Sequence, residues 1–321
     1  MPMLDMPLKE LEKYTGISVK PADFDEFWDR GIEELKNVDR NPEFIPSDFK
    51  TPFADCFDLY FTGVKGARIH AKVLMPKDRS KRCPAVLQFH GYTGSCGNWN
   101  DKLNYAAAGF VVAALDCRGQ AGLSEDVGGV KGNTMHGQII RGLEGDPDNM
   151  LMRNIFLDTV ALAWTIMELP YVDETKVGVM GGSQGGGLSV ACASLEPRIA
   201  RAAVQFPFLS DYRRVWEMDL AKNAYDEISM YFRFFDPLHE REDEIFERLG
   251  YLDVHNLAPR IRGKVQMAIT LMDNICPPST QFAVYNNIQS EKECNIYPDF
   301  GHEYLPGNDD LFYQFLLELV D

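Results

Sequence analysis

The sequence predicts an α/β protein: a mostly parallel sheet with helices on both faces, entered through an antiparallel edge. Three observations carry this. From about residue 85 onward, strand-like and helix-like segments alternate, the order that βαβ units produce. The strand-like runs in that region are apolar throughout, as strands buried on both faces are. Before them, two strand-like runs separated by a glycine read as a hairpin. With 321 residues, 45% of them hydrophobic, the chain can bury a full-sized core, and residues 1–321 read as one domain.

The elements follow in order. Residues 21–38 place Phe24, Phe27, Trp28, Ile32 and Leu35 at helical spacing. CFDLYFTGV (56–64) and ARIHAKVLMP (67–76) are the hairpin strands. AVLQFHGY (85–92) is a buried strand ending in His-Gly. NWNDKLNYAAAG is helical and leads to a second buried strand, GFVVAALDCRG (109–119). Residues 120–152 are rich in Gly and Asp, show no period, and read as a long excursion from the core. A helix (153–170), a strand (176–183), a helix (184–197) and a strand (199–209) continue the alternation. Residues 211–262 interrupt it and read as a helical insertion. A strand (265–273), a helix (277–288), a strand (293–300) and a closing helix (309–320) complete the chain.

Charge and cysteine usage exclude several function classes. The formal net charge is -16, which repels phosphate backbones and anionic lipid, so nucleic-acid and membrane-surface partners are not expected. No apolar run reaches the ~18 residues of a membrane span. The N-terminus lacks the basic and apolar regions of a signal peptide. The seven cysteines are scattered and odd in number, with no CxxC and no HExxH. Reduced thiols in a cytoplasmic protein are expected, with neither a disulfide framework nor a metal site.

One short stretch carries chemistry. In VGVMGGSQGGGLSV (177–190), Ser183 sits in a G-x-S-x-G pattern formed by Gly181 and Gly185, with a strand before it and a helix after it. That context suits a nucleophile elbow: the sharp turn exposes the Oγ, and the glycines remove side chains that would collide with it. The following helix presents free N–H groups where an oxyanion would form. A phosphate-binding loop would want a Lys after the glycines, and none is present.

A serine nucleophile needs a base and an orienting acid, in the chain order Ser, acid, His. His239 and His255 fall in the helical insertion. His302 follows the last strand and is the expected base. Asp273, at the end of the run VQMAITLMD, is the expected acid; Asp299 competes, but lies on the same strand end as His302. The oxyanion donors are expected to be the backbone N–H groups of Gln184 and Tyr92, with Gly91 and Gly94 letting the loop backbone approach the substrate. Aromatic residues from the next segment, Phe206, Phe208, Trp216, Tyr231 and Phe234, are available either to the pocket or to the core.

FHGYTG (89–94), DCRGQ (116–120), GGSQGG (181–186), LMDNICPPST (271–280) and GHE (301–303) together resemble the acetyl xylan esterase / cephalosporin-C deacetylase family, over nearly the whole chain. The resemblance implies the α/β-hydrolase fold. It also implies a serine esterase acting on acetylated xylo-oligosaccharides and cephalosporin C without a cofactor, with general carboxylesterase or serine peptidase activity as the alternative. Residue by residue it implies Ser183, Asp273 and His302 as the catalytic set, Tyr92 and Gln184 as oxyanion donors, and Arg118, Gly119 and Gln120 as support near the site. Glu303 completes the His-Glu pair of the pattern. A cytoplasmic homohexamer is implied as well. On that basis the excursion, whose Ile139, Ile140 and Leu143 have no evident core role, is expected to make subunit contacts.

Overall fold

A computed structural model describes residues 4–127 and 136–320. Among the described residues nine strands succeed one another: β1 (Glu43–Pro46), β2 (Ala54–Thr62), β3 (Arg68–Pro76), β4 (Cys83–Phe89), β5 (Val111–Leu115), β6 (Val172–Gly182), β7 (Ile199–Gln205), β8 (Lys264–Thr270) and β9 (Lys292–Tyr297). They form one sheet in the order β1-β2-β3-β5-β4-β6-β7-β8-β9. The pairings from β1 through β3 to β5 are antiparallel, and every pairing from β5 across to β9 is parallel. This is the expected antiparallel edge on a parallel body. The order reverses around β4, the kind of switch point outside which α/β sheets form ligand crevices.

Both faces are covered. Along β4, Ala85, Leu87 and Phe89 pack into one buried cluster with the helices Leu151–Met167 and Gln184–Leu195, while Val86 packs into a second cluster with Tyr105 and the closing helix Asn308–Leu317. Alternate side chains of a strand point to opposite faces, so a strand buried on both must be apolar throughout. The helix Phe24–Lys36 lies outside Leu151–Met167, with Trp28 stacked on Phe156 at 5.6 Å between ring centres. Leu151–Met167 is therefore covered on two sides, and all of its residues except Trp164 are buried.

The structure differs from the sequence-based expectation at several element boundaries, with β6 beginning at Val172 and β7 and β8 ending at Gln205 and Thr270, and in three further places. β1 was not anticipated: it is a short, mostly exposed edge strand with no alternating pattern to reveal it. The second and last buried strands end at Leu115 and Tyr297, before the polar residues assigned to them, because Asp116 onward and Asp299 onward are loops at the sheet's C-terminal edge. The excursion is the main correction. Ile139 and Leu143 are fully buried in the core of this same chain, and Ile140 packs against it. They are held there by intrachain packing, so the expectation that they are free for subunit contact does not hold. Residues 128–135 of the excursion lie outside the described residues. The insertion is helical as expected, in four pieces: Tyr212–Glu217, Asp226–Phe235, Glu242–Gly250 and Val254–Leu257.

Candidate active site

Ser183 stands between β6 and the helix Gln184–Leu195 with φ 57° and ψ -122°. A side-chain-bearing residue in that region costs on the order of 1–3 kcal/mol and persists only if its surroundings hold it. Here they do. The Ser183 N–H donates to the Gln205 carbonyl at 3.1 Å, and its own carbonyl accepts from Gly187 and Phe208, both at 3.0 Å. The glycines are required by main-chain contact. A Cβ on Gly185 would lie 2.1 Å from the Phe89 carbonyl oxygen, and one on Gly181 would lie 2.5 Å from the Gly185 backbone. Gly186 and Gly187 are packed as tightly on Gln205 and Phe208. Gly185→Ala is therefore expected to lower stability by about 1–3 kcal/mol or more; an unchanged urea midpoint would show that β4 and the helix can part without cost.

His302 sits in the loop after β9. Its Nδ1 is 2.8 Å from Asp273 Oδ2, and its ring packs on Phe206 at 4.4 Å. Asp273 is fully buried just beyond β8. Its Oδ1 accepts the N–H groups of Ile275 and Cys276, each at 2.8 Å, and the Thr270 hydroxyl lies 3.4 Å from Oδ2. A carboxylate held by two amides cannot swing away from the imidazole. Asp299 is exposed, so of the two acids considered, Asp273 is the one paired with His302. Glu303 accepts from the Gly301 N–H at 3.0 Å and closes that turn.

The loop after β4 is held by a histidine that the sequence did not single out. His90 Nε2 accepts the Cys117 N–H at 3.0 Å, so its ring proton is on Nδ1, which lies 2.8 Å from the Gly91 carbonyl. Burial pushes the His90 pKa down, favouring this neutral form. The Gly91 carbonyl also accepts the Gly94 N–H at 3.0 Å. Across a trans peptide the next N–H points the opposite way, which turns the Tyr92 N–H away from His90. Gln184 opens the helix, where backbone N–H groups have no intrahelical acceptor. Its side chain pairs reciprocally with Gln120, at 2.8 and 3.0 Å. Arg118 lies deeper, bound through Nε and Nη2 to Asp158 at 2.7 and 2.6 Å. Gly119, at φ 69°, makes the turn between them. This trio thus braces the serine turn and the helix Leu151–Met167.

Ser183 and His302 open onto one cavity of about 590 Å³, lined also by Gly91, Tyr92, Ile275 and Ala224, with Thr93, Asn223, Asp226 and His136 as polar members. Of the aromatics considered, only Phe206 touches the paired residues. Phe208 is buried against Tyr92, Trp216 packs on Phe232, Tyr231 bonds Glu144, and Phe234 faces outward. Cys276, whose thiol is pushed well above the usual range by burial, lies within 4.8 Å of Asp273 and His302. Behind Asp226, Glu227 is fully buried, and burial pushes its carboxyl from 4.5 up to about 7. A carboxyl raised in the folded state favours folding most below its unfolded value, and that contribution is lost as pH rises through about 7. Glu227→Gln is therefore expected to gain stability relative to the parent between pH 5 and 8, on the order of 3 kcal/mol at most. Parallel melting curves would contradict this.

This sheet, with a serine on the turn after β6 and a buried Asp paired with a half-buried His on the loops after β8 and β9, is that of the α/β-hydrolase class. The family model of acetyl xylan esterase (AXE1) matches residues 1–319. The chain belongs to that family of carboxylic ester hydrolases. It is similar to acetyl xylan esterase 1 from Thermoanaerobacterium sp. JW/SL YS485, with 60% identity and a TM-score of 0.96, covering 99% of this chain and 100% of that one. It is similar also to the acetyl xylan esterase from Paenibacillus sp. R4, with 34% identity and a TM-score of 0.91, covering 97% and 99% of the two chains. Acetyl esterase Axe7A of Xylanibacter ruminicola is 29% identical over 297 residues, 90% of this chain, and the match spans 64% of that protein's length.

Proposed function

We propose that the chain is a serine esterase that removes acetyl groups from small carbohydrates, acetylated xylo-oligosaccharides first among them, and from cephalosporin C. The observation that carries the proposal is His302, paired with Asp273, sharing a cavity with a serine held at positive φ. In this reading Ser183 Oγ attacks the acetyl carbonyl while His302 Nε2 takes its proton. Asp273, bonded to Nδ1, fixes the tautomer and stabilises the imidazolium. The Tyr92 and Gln184 N–H groups bind the oxyanion; losing one such donor typically costs ~3 kcal/mol. His302 then protonates the departing sugar hydroxyl, and water cleaves the acetyl-enzyme by the same steps to release acetate. No metal or organic cofactor enters this sequence.

The same reading includes a cytoplasmic homohexamer, as in the family that the sequence motifs resemble. Its support is the seven cysteines standing as free thiols and an exposed apolar group of Met230, Phe234, Phe235 and Leu238. Among the described residues no helix is long and apolar enough to cross a membrane.

The test is a panel of esters with light scattering alongside. Acetyl esters are expected to react roughly 10–200-fold faster than butyryl esters, since an ill-fitting methylene costs about 1–3 kcal/mol. Acetylated oligosaccharide is expected to react faster than acetylated polymer, which a closed assembly would hold off. Preference for long acyl chains or peptides would move the protein to general carboxylesterase or peptidase activity.

A further inference from the structure

Two segments outside the strand–helix body bound the cavity: the excursion through His136, and the insertion through Asn223, Ala224 and Asp226. One buried carboxylate joins them. Glu227 follows Asp226 in the first turn of the helix Asp226–Phe235 and is fully buried. Its Oε2 accepts the N–H of Ile139 at 2.7 Å and of Ile140 at 3.2 Å. Gly137, at φ 85°, lets the backbone curl round it. Ile139, with no exposed surface, anchors that turn in the core. Immediately beyond, His136 Nδ1 and Asp226 Oδ1 face each other 3.8 Å apart at the cavity.

The groups around the cavity divide by chemistry. An acetyl group ends in one methyl, which has no use for an amide, a carboxylate or an imidazole. Ser183, Asp273 and His302 are set by β6, β8 and β9 and owe nothing to Glu227. Thr93, Asn223, Asp226 and His136 are the hydrogen-bonding groups left to meet the alcohol half of the ester, and three of them, Asn223, Asp226 and His136, stand on the two segments that Glu227 ties together.

We infer that Glu227 is a specificity-determining positioning residue: by tying the excursion to the insertion it sets the alcohol-side wall, and with it the preference for a polyhydroxylated leaving group over a small alcohol. This rests on the esterase reading above. The experiment compares kcat/KM on acetylated xylobiose with kcat/KM on methyl acetate. In Glu227→Ala the ratio of the two is expected to fall at least about tenfold, through a raised KM for the sugar ester with its kcat largely kept. Glu227→Gln, whose carbonyl oxygen can accept both N–H groups, is expected to hold the ratio within about threefold. Glu227→Asp keeps the charge but falls a methylene short, and carries the test if the alanine variant does not fold. An unchanged ratio in the Ala or Asp variant, equal losses on both esters, or a Gln variant as impaired as Ala overturns the inference while the esterase reading stands. A parent protein inactive on both esters overturns both.

Discussion

Ser183→Ala is expected to fold normally and to lose roughly 10⁵–10⁶ in kcat, the scale seen when a serine nucleophile is removed from a working set. The hydroxyl is a small part of the turn's stability. The backbone of residue 183 is held by Gln205, Gly187 and Phe208 through main-chain hydrogen bonds, none of which uses Oγ. Alanine should therefore sit in the same strained conformation, and the melting midpoint should stay close to that of the parent. What disappears is the only atom proposed to bond the acetyl carbon. Residual hydrolysis of 10³–10⁴ over water is the known floor from an oxyanion hole and binding alone. An alanine variant within about 100-fold of the parent on p-nitrophenyl acetate would require another nucleophile, and Cys276, within 4.8 Å of Asp273 and His302, would be the first to examine.

Asp273→Asn is expected to cost about 10⁴ in kcat, because an amide cannot hold the imidazole with its proton on Nδ1. Geometry sharpens the comparison with Asp299→Asn. Asp273 lies 2.8 Å from His302 and is locked by two backbone N–H groups; Asp299 is exposed. Asp299→Asn should change kcat by less than about threefold, within the small range typical of surface substitutions. Single-turnover acylation rates of both variants on one acetyl ester measure the difference, and the opposite ranking would reassign the acid.

The fold was legible because its signals are local. Apolar strands of five to seven residues, such as Val111–Leu115 and Cys83–Phe89, and the amphipathic helix around Trp28 are patterns that any short window reveals. The turn at Ser183 was legible for the same reason: steric crowding of a strand-to-helix bend leaves glycine as the residue that fits on either side of it. His90 and Glu227 were not legible. Each acts through backbone N–H groups of a segment distant in sequence, Cys117 for one and Ile139 for the other, and backbone groups leave no mark in a string of side chains. The core role of Ile139 and Leu143 was missed because a stretch rich in Gly and Asp shows no period even where single residues are buried. The pairing of His302 with Asp273 was expected from chain order and strand ends, and the coordinates set the competing Asp299 aside by its exposure.

The contact of Gly185 with the Phe89 carbonyl has a consequence for how such a protein can diversify. Phe89 immediately precedes the loop that carries Tyr92, and Gly185 lies one residue beyond Gln184. The spacing between the two proposed oxyanion donors is thus gauged by backbone touching backbone, and no side chain enters that measurement. Residues such as Asn223, Ala224, Asp226, His136 and Ile275 hang on other segments. They can be exchanged for larger, smaller or differently charged ones without altering the gauge. New esters are therefore reachable by retailoring the walls, whereas a single methyl group added at the gauge would shut that route.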